Sequence, residues 1–244
     1  MWPVSETILS CRSYAELPDR RVVHTPFPRR RNISYGAVVY CRPTGRWLLV
    51  RTAWSYAFSS FMYGFFKKSD IPSILAFLTP EELETIRALY YGKKAWKDVY
   101  RGNYFEESQE RFLHNREILR PYLSYKANSA MSTPWTFPKG RLEPQETPYK
   151  CALREFEEEA GLASSLLGNP VVPEQVWETY VSFDHQTYET RCWVFAVDTE
   201  YPLPSTEGGN EIVERRWCTD AEALELLSPT KQAMLLQAKS KLIV

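Results

Sequence analysis

The chain has 244 residues, 44% hydrophobic and 25% charged, with 30 basic and 30 acidic side chains. That length can bury one substantial core, or one core with a smaller appended module, and the composition is that of a soluble globular protein. A formal net charge of zero removes bulk electrostatics as a reason to bind nucleic acid, so any such contact must be local.

In chain order, residues 1–33 carry little periodicity and end in "PFPRRR". They read as an arm or cap whose arginine run is either a solvated patch or an RNA contact. "SYGAVVYC" and "RWLLVR" flank the turn "RPTG" and predict a hairpin over 34–51. After "AWSYAFSSFMYGFFKK" the period becomes helical. "TPEELETIRALYY" opens a helix with threonine at the cap, proline first and acids early, and "KKAWKDVYRG" and "EESQERFLHNREILRPYL" continue as helices. Strands are expected at "WTF", "EQVWETYVSF", "ETRCWVFAV" and "EIVERRWC", and two helices close the chain near 221–227 and 229–242. The five cysteines (Cys11, Cys41, Cys151, Cys192, Cys218) are odd in number and scattered, which predicts reduced thiols without a disulfide partner. No apolar run approaches ~18 residues and the first residues lack a signal-peptide core, so a cytoplasmic protein with no membrane partner is expected.

The most informative stretch is "GRLEPQETPYKCALREFEEEAGL". Thr147 reads as an N-cap, Pro148 as the first helical residue and Gly161 as the C-terminal stop. Tyr149, Ala152, Leu153, Phe156 and Ala160 form one apolar face at helical spacing. Glu155, Glu158 and Glu159 share another, spread over about 100° of arc. Like charges at this spacing repel by roughly 0.2–0.5 kcal/mol per pair, and these lie near the negative end of the helix dipole. A solvated face is the ordinary reading of such a run; a bound divalent cation is the other, because it offsets both penalties.

The fixed positions Gly140, Glu146, Arg154, Glu155, Glu158, Glu159, Gly161 and Leu162 stand at the spacing G-x5-E-x7-R-E-U-x-E-E-x-G-U, which resembles the Nudix box without a departure. The resemblance implies an α/β fold: a Nudix α/β/α sandwich with a mixed sheet, interrupted by an α-helical insertion. The domains expected are an arm at 1–33, a Nudix domain at 34–55 and 131–244, and an insertion at 56–130. It also implies an enzyme that hydrolyses a nucleoside diphosphate linked to another moiety. Carboxylates without histidine or cysteine partners make an all-oxygen site suited to Mg²⁺ or Mn²⁺. Carried over by position, Glu155, Glu158 and Glu159 ligate metal or activate water, Glu146 ligates a second ion, and Arg154 orients the carboxylates. The Gly140 carbonyl is a candidate ligand and Lys139 a candidate phosphate contact. Glu155 and Glu211 remain alternative general bases. Asp184, at the "FDHQT" hairpin tip, is either a metal neighbour or a turn former. His24, His114 and His185 form no ligating pattern.

Ser55-Tyr56, Phe58-Ser59, Phe61, "FDHQT" and "NEI" further resemble the Nudix mRNA-decapping enzymes of large cytoplasmic DNA viruses, of the African swine fever virus, poxvirus and giant-virus type. This implies capped RNA as substrate, release of m7GDP, and action in the host cytoplasm. Residues 1–33 have no counterpart in it. Tyr56 stands where the poxvirus members carry a cap-stacking aromatic, and Tyr180 or Phe183 is a candidate opposite wall; core packing is the competing role for each ring. Lys93, Lys94, Lys97 and Arg101, interleaved with Trp96 and Tyr100, suggest an RNA path, against an ordinary amphipathic helix. A diphosphoinositol polyphosphate or dinucleoside polyphosphate hydrolase is the enzymatic alternative, and an RNA- or protein-binding Nudix scaffold the non-enzymatic one.

Overall fold

The computed structural model describes residues 32–64, 66, 68–100, 104–126, 132–182, 186–206 and 211–242. The arm up to residue 31, Arg101, Phe183 and Asp184 lie outside the described residues, as do Cys11, His24 and His185.

The expected hairpin forms from β1 (Ile33–Cys41) and β2 (Arg46–Thr52), but it splays. The two strands pair only at Tyr40–Trp47 and Cys41–Arg46, next to the turn. Into the opening comes β4 (Lys139–Arg141), antiparallel to the first half of β1, with Tyr35 opposite Gly140. Gly36 permits this approach, because a Cβ there would meet the Pro138 carbonyl at 2.1 Å. The short β3 (Trp135–Thr136) and β7 (Ile212–Cys218) pair with β2, and β6 (Thr187–Val197) runs parallel to β1 with β5 (Val176–Val181) antiparallel outside it. The result is a mixed sheet of seven strands.

Alternation along the strands feeds two cores. Val38, Trp47, Leu49, Val176, Cys192 and Val194 face Met234, Leu235 and Ala238 of α7 (Pro229–Lys241), together with Ala223 of α6 (Asp220–Leu226). Ala37, Val39, Leu48 and Phe195 face Phe156 and Ala160 behind α5 (Pro148–Glu155). This is the α/β/α sandwich, with α5 on one face and α6 and α7 on the other. The four described cysteines are free and buried in it.

Between β2 and β3 the chain builds a third core of its own. It joins α1 (Tyr56–Tyr63), α2 (Ile71–Ala76), α3 (Pro80–Tyr90) and α4 (Phe105–Leu119) through Phe58, Phe61, Ile74, Leu78, Ile86, Trp96 and Phe112. Helix begins earlier here than the period suggests. Ser55 accepts the Phe58 N–H and starts α1 inside the aromatic run, and Gly64, at φ 72°, ends it. "KKAWKDVYRG" is a correction in the other direction. Gly92, at φ 68°, stops α3, and the Lys93 and Lys94 N–H groups turn back to the Ala88 carbonyl. In the rest of that stretch the described residues hold only a 3₁₀ turn, Trp96–Asp98. Among the described residues no helix is long and apolar enough to cross a membrane.

Candidate active site

The box helix starts as expected, with Thr147 accepting the Lys150 N–H and Pro148 at its first position. It does not continue as one α-helix to Gly161. From Phe156 to Ala160 the backbone is π-helical, ending at Gly161 with φ 69°. A π segment carries more residues per turn, so successive side chains are re-aimed. The three glutamates therefore take different partners. Glu155 points at β4, Glu158 stays at the surface, and the Glu159 carboxylate accepts the Lys139 N–H at 2.8 Å.

Gly140 is fixed by contact rather than by a turn. A Cβ there would lie 2.0 Å from Glu155 Oε1, so only glycine lets the carboxylate rest against this strand. The Cys151 thiol points at the Gly140 carbonyl from 3.6 Å, and burial pushes that thiol up to about 12, leaving it an inert neighbour.

Arg154 holds the acidic cluster together. Its guanidinium donates to Glu146 at 2.9 and 3.0 Å, to Glu155 at 2.7 Å, to Glu158 at 2.8 Å and to the Arg141 carbonyl at 3.0 Å. The bond from Arg154 holds the Glu146 carboxyl below its usual range. Burial raises Glu155 despite the same partner. Glu159, 9% exposed, is pushed up to about 8 by burial, against the pull of Lys139, while Glu155 and Glu211 add repulsion. Glu211 is thus within electrostatic reach of the box. It is set there by the Ala53 N–H bond to its carbonyl at 2.7 Å, at the end of β2.

Among the described residues no three acidic, cysteine or histidine side chains are gathered closely enough to grip an ion, because Arg154 lies among Glu146, Glu155 and Glu158. The donor set nevertheless suits a hard divalent cation. It offers carboxylate and carbonyl oxygens only, and it includes a carboxyl, Glu159, whose charged form burial and neighbouring carboxylates disfavour.

This arrangement carries a sign for stability. In the unfolded chain Glu159 has lost its proton by about pH 5, whereas in the fold it keeps it to about pH 8. The folded state binds more protons across that window, so stability falls as pH rises from 5 to 8. Thermal melting in excess chelator is expected to show that decline, Glu159→Gln to flatten it, and added Mg²⁺ to stabilise more at pH 8 than at pH 5. A decline that persists unchanged in Glu159→Gln assigns it to other groups.

The aromatic candidates meet at the same place. The Lys139 ammonium lies 5.0 Å from the centre of the Tyr56 ring, which is 39% exposed. Burial alone would lower this ammonium, but the Tyr56 and Glu159 side chains hold it above the ordinary lysine range. Tyr180 is close enough to sense both Lys139 and Tyr56, and burial raises its phenol. Its ring stacks on Tyr188 at 5.6 Å, with Lys231 Nζ a further 5.6 Å from its centre. The Lys231–Glu178 ion pair behind it, 2.9 Å long and buried, went unseen in the sequence. Alternation carried the signal, since Val176, Glu178 and Tyr180 share one face of β5. Arg215, which donates to the Glu159 carbonyl at 2.7 Å, was also missed.

The basic cluster on the insertion is less united. Lys93, Lys94 and Lys97 are exposed, but Trp96 and Tyr100 are buried in the helical core, with Trp96 Nε1 donating to Ser108 at 3.1 Å. The exposed ring beside these lysines is Tyr91, 5.9 Å from Lys93 Nζ. His114 stands exposed on α4.

The NUDIX domain family matches residues 105–238, more than half of the chain. The chain belongs to the Nudix family. It is accordingly a Nudix pyrophosphohydrolase, and such enzymes generally work with divalent ions such as Mg²⁺ or Mn²⁺. No curated protein matches the sequence. Among solved structures, a C. elegans Ap4A hydrolase in a binary complex is similar at 13% identity and TM-score 0.49, covering 87% of this chain and 98% of that one. The E. coli dihydroneopterin triphosphate pyrophosphohydrolase is similar at 13% identity and TM-score 0.44, covering 85% and 95%. A bifunctional NMN adenylyltransferase/ADP ribose pyrophosphatase from Francisella tularensis, complexed with AMP and a Mn ion, is similar at 12% identity and TM-score 0.42, covering 89% and 43%.

Proposed function

We propose that this Nudix hydrolase removes the cap from mRNA, adding water across the cap pyrophosphate and releasing m7GDP. The observation that supports the reading is the grouping of Tyr56, Tyr180 and Lys139 beside Glu159, which sets aromatic faces and a buried cation next to the acidic cluster. A positively charged methylated base is a good partner for tyrosine faces. The Lys139 ammonium, already charged, meets the phosphates.

In this reading Gly140, Glu155, Glu158 and Glu159 hold a divalent cation, and Glu146 a second. When bound, such a cation supplies positive charge to the phosphate oxygens. Arg154 keeps the carboxylates oriented. Glu155 or Glu211 takes the proton from the attacking water. The oxygen of that water bonds to phosphorus as the bridging P–O bond breaks, and the bridging oxygen leaves with the electron pair. The domain division proposed is a sandwich at 34–55 and 131–244 carrying this chemistry, with the insertion at 56–130 carrying the RNA body in the cytoplasm.

The direct test is incubation of the protein with cap-labelled RNA, with and without Mg²⁺, and separation of the released nucleotides. Metal-dependent m7GDP release is expected. Cleavage confined to a dinucleoside polyphosphate or an inositol pyrophosphate assigns the alternative substrate class.

The RNA path has its own expected result. Replacing Lys93, Lys94 and Lys97 by alanine weakens RNA binding and lowers its salt slope by about 0.7 for each phosphate no longer neutralised. Hydrolysis of a free dinucleotide changes much less. Equal losses on both substrates place these lysines in the fold rather than along RNA.

A further inference from the structure

We infer that Glu82, a buried carboxylate in the insertion, is a positioning residue for Tyr56. Glu82 is 1% exposed, and its oxygens serve two helices at once. Toward its own helix α3, Oε2 accepts the Thr79 N–H at 2.9 Å while Thr79 Oγ1 accepts the Glu82 N–H at 3.2 Å, a closed capping box. Toward α1, Oε1 accepts the Ser55 N–H at 2.5 Å and Oε2 accepts the Ser55 hydroxyl at 2.8 Å.

The capping box accounts for one of the three bonds that the carboxylate accepts. The other two reach a residue 27 positions earlier, and that residue is the N-cap of α1. Ser55 spends its hydroxyl proton on Glu82 and uses the same oxygen to accept the Phe58 N–H at 3.1 Å, so it is held from both sides. Tyr56 is the next residue, the first of α1. Burial raises the Glu82 carboxyl, while the bonds from Ser55 and Thr79 oppose the rise, as befits an acceptor paired with three donors.

A line of contacts therefore runs from the centre of the insertion to the box. Glu82 holds Ser55, Ser55 starts the helix that presents Tyr56, the Tyr56 ring faces the Lys139 ammonium, and the Lys139 N–H holds Glu159. An aromatic with a half-exposed ring is otherwise free to turn toward solvent. Fixing the backbone that carries it narrows where the ring can sit before substrate arrives, which lowers the entropy lost on binding. The inference rests on the proposed role of Tyr56 as a substrate-facing ring and adds to it the residue that sets the ring.

The test uses the full chain with Glu82→Gln, in which an amide donor replaces one acceptor oxygen, and with Ser55→Ala, which removes the hydroxyl bond to Glu82 and the N-cap oxygen of α1 while keeping the backbone N–H bond at position 55 and the capping box of α3. Ile74→Val, buried in the same core, serves as a packing control that touches neither cap. Each is measured alone and combined with Tyr56→Ala, for kcat and KM on a dinucleoside polyphosphate and for melting temperature. Glu82→Gln and Ser55→Ala are expected to raise KM about tenfold, the scale of removing a charged hydrogen bond, with kcat little changed. On top of Tyr56→Ala they raise it no further, although their melting losses add. Ile74→Val lowers the melting temperature without moving KM. An unchanged KM in both variants overturns the inference, and so does a KM effect that multiplies with Tyr56→Ala or that Ile74→Val reproduces. Should Glu82→Gln not fold, Ser55→Ala decides by the same cycle. Tyr56→Ala that leaves the preference for capped over uncapped RNA unchanged defeats the cap reading, while a non-additive KM cycle still upholds Glu82.

Discussion

Glu159→Gln and Glu158→Gln are each expected to abolish turnover in a protein that remains folded. Glutamine is nearly isosteric and keeps one carbonyl oxygen, so in Glu159→Gln the Lys139 N–H retains its partner. What disappears is the charge that a divalent ion requires, and removing one such electrostatic interaction slows catalysis by at least about 10²–10³-fold. Stability moves the other way. The Glu159 carboxyl is buried and pushed up to about 8, so its neutral replacement relieves a desolvation penalty at pH 8. Glu158 is more exposed, its side chain 56% accessible, and gives up one surface pairing with Arg154, worth at most about 1 kcal/mol. Hydrolysis assayed in excess Mg²⁺, beside melting curves, checks both halves. Full activity in Glu159→Gln, or activity undiminished by excess chelator, sinks the metal-site reading.

Tyr56→Ala carries the second large effect, a loss of about 1–3 kcal/mol in cap-dependent binding, the usual worth of one base–aromatic contact. Tyr56→Phe and Tyr56→Trp retain most of it, since stacking needs the ring and not the hydroxyl. The structure adds a complication that the measurement must absorb. The ring also faces the Lys139 ammonium, so its removal loosens a phosphate contact and weakens every substrate somewhat. The deciding quantity is therefore the ratio of capped to uncapped RNA affinity, taken with thermal stability. A ratio that stays constant while the melting point drops returns Tyr56 to a packing role.

The elements that sequence alone determined are those governed by neighbours within one turn. Thr79, Thr147 and Thr219 each accept an N–H three residues on, and proline follows the first two directly, so the starts of α3, α5 and α6 were readable or nearly so. The β-rich runs "SYGAVVYC", "RWLLVR" and "ETRCWVFAV" likewise marked β1, β2 and β6, because a short apolar run bounded by turn signals needs no distant partner to be read. The box itself was legible for the same reason: its spacing is local.

Tertiary structure decided what depends on residues far apart. The π segment at Phe156–Ala160 brings Glu159 onto the Lys139 N–H, one residue along β4 from where Glu155 rests, and no propensity in "FEEEA" announces that change of pitch. Gly140 entered the sequence reading only as a carbonyl ligand and proves also to be the floor beneath the Glu155 carboxylate, a close approach visible only once β4 lies against β1. Trp96 and Tyr100 looked like partners for the exposed lysines and lie instead in the helical core, because the facing of a single 3₁₀ turn is set by what packs against it. Glu82 read only as one of the early acids of α3. Its second duty, at the start of α1, exists because folding places the buried oxygens of one carboxylate between two helix ends, where an unpaired charge could not stay.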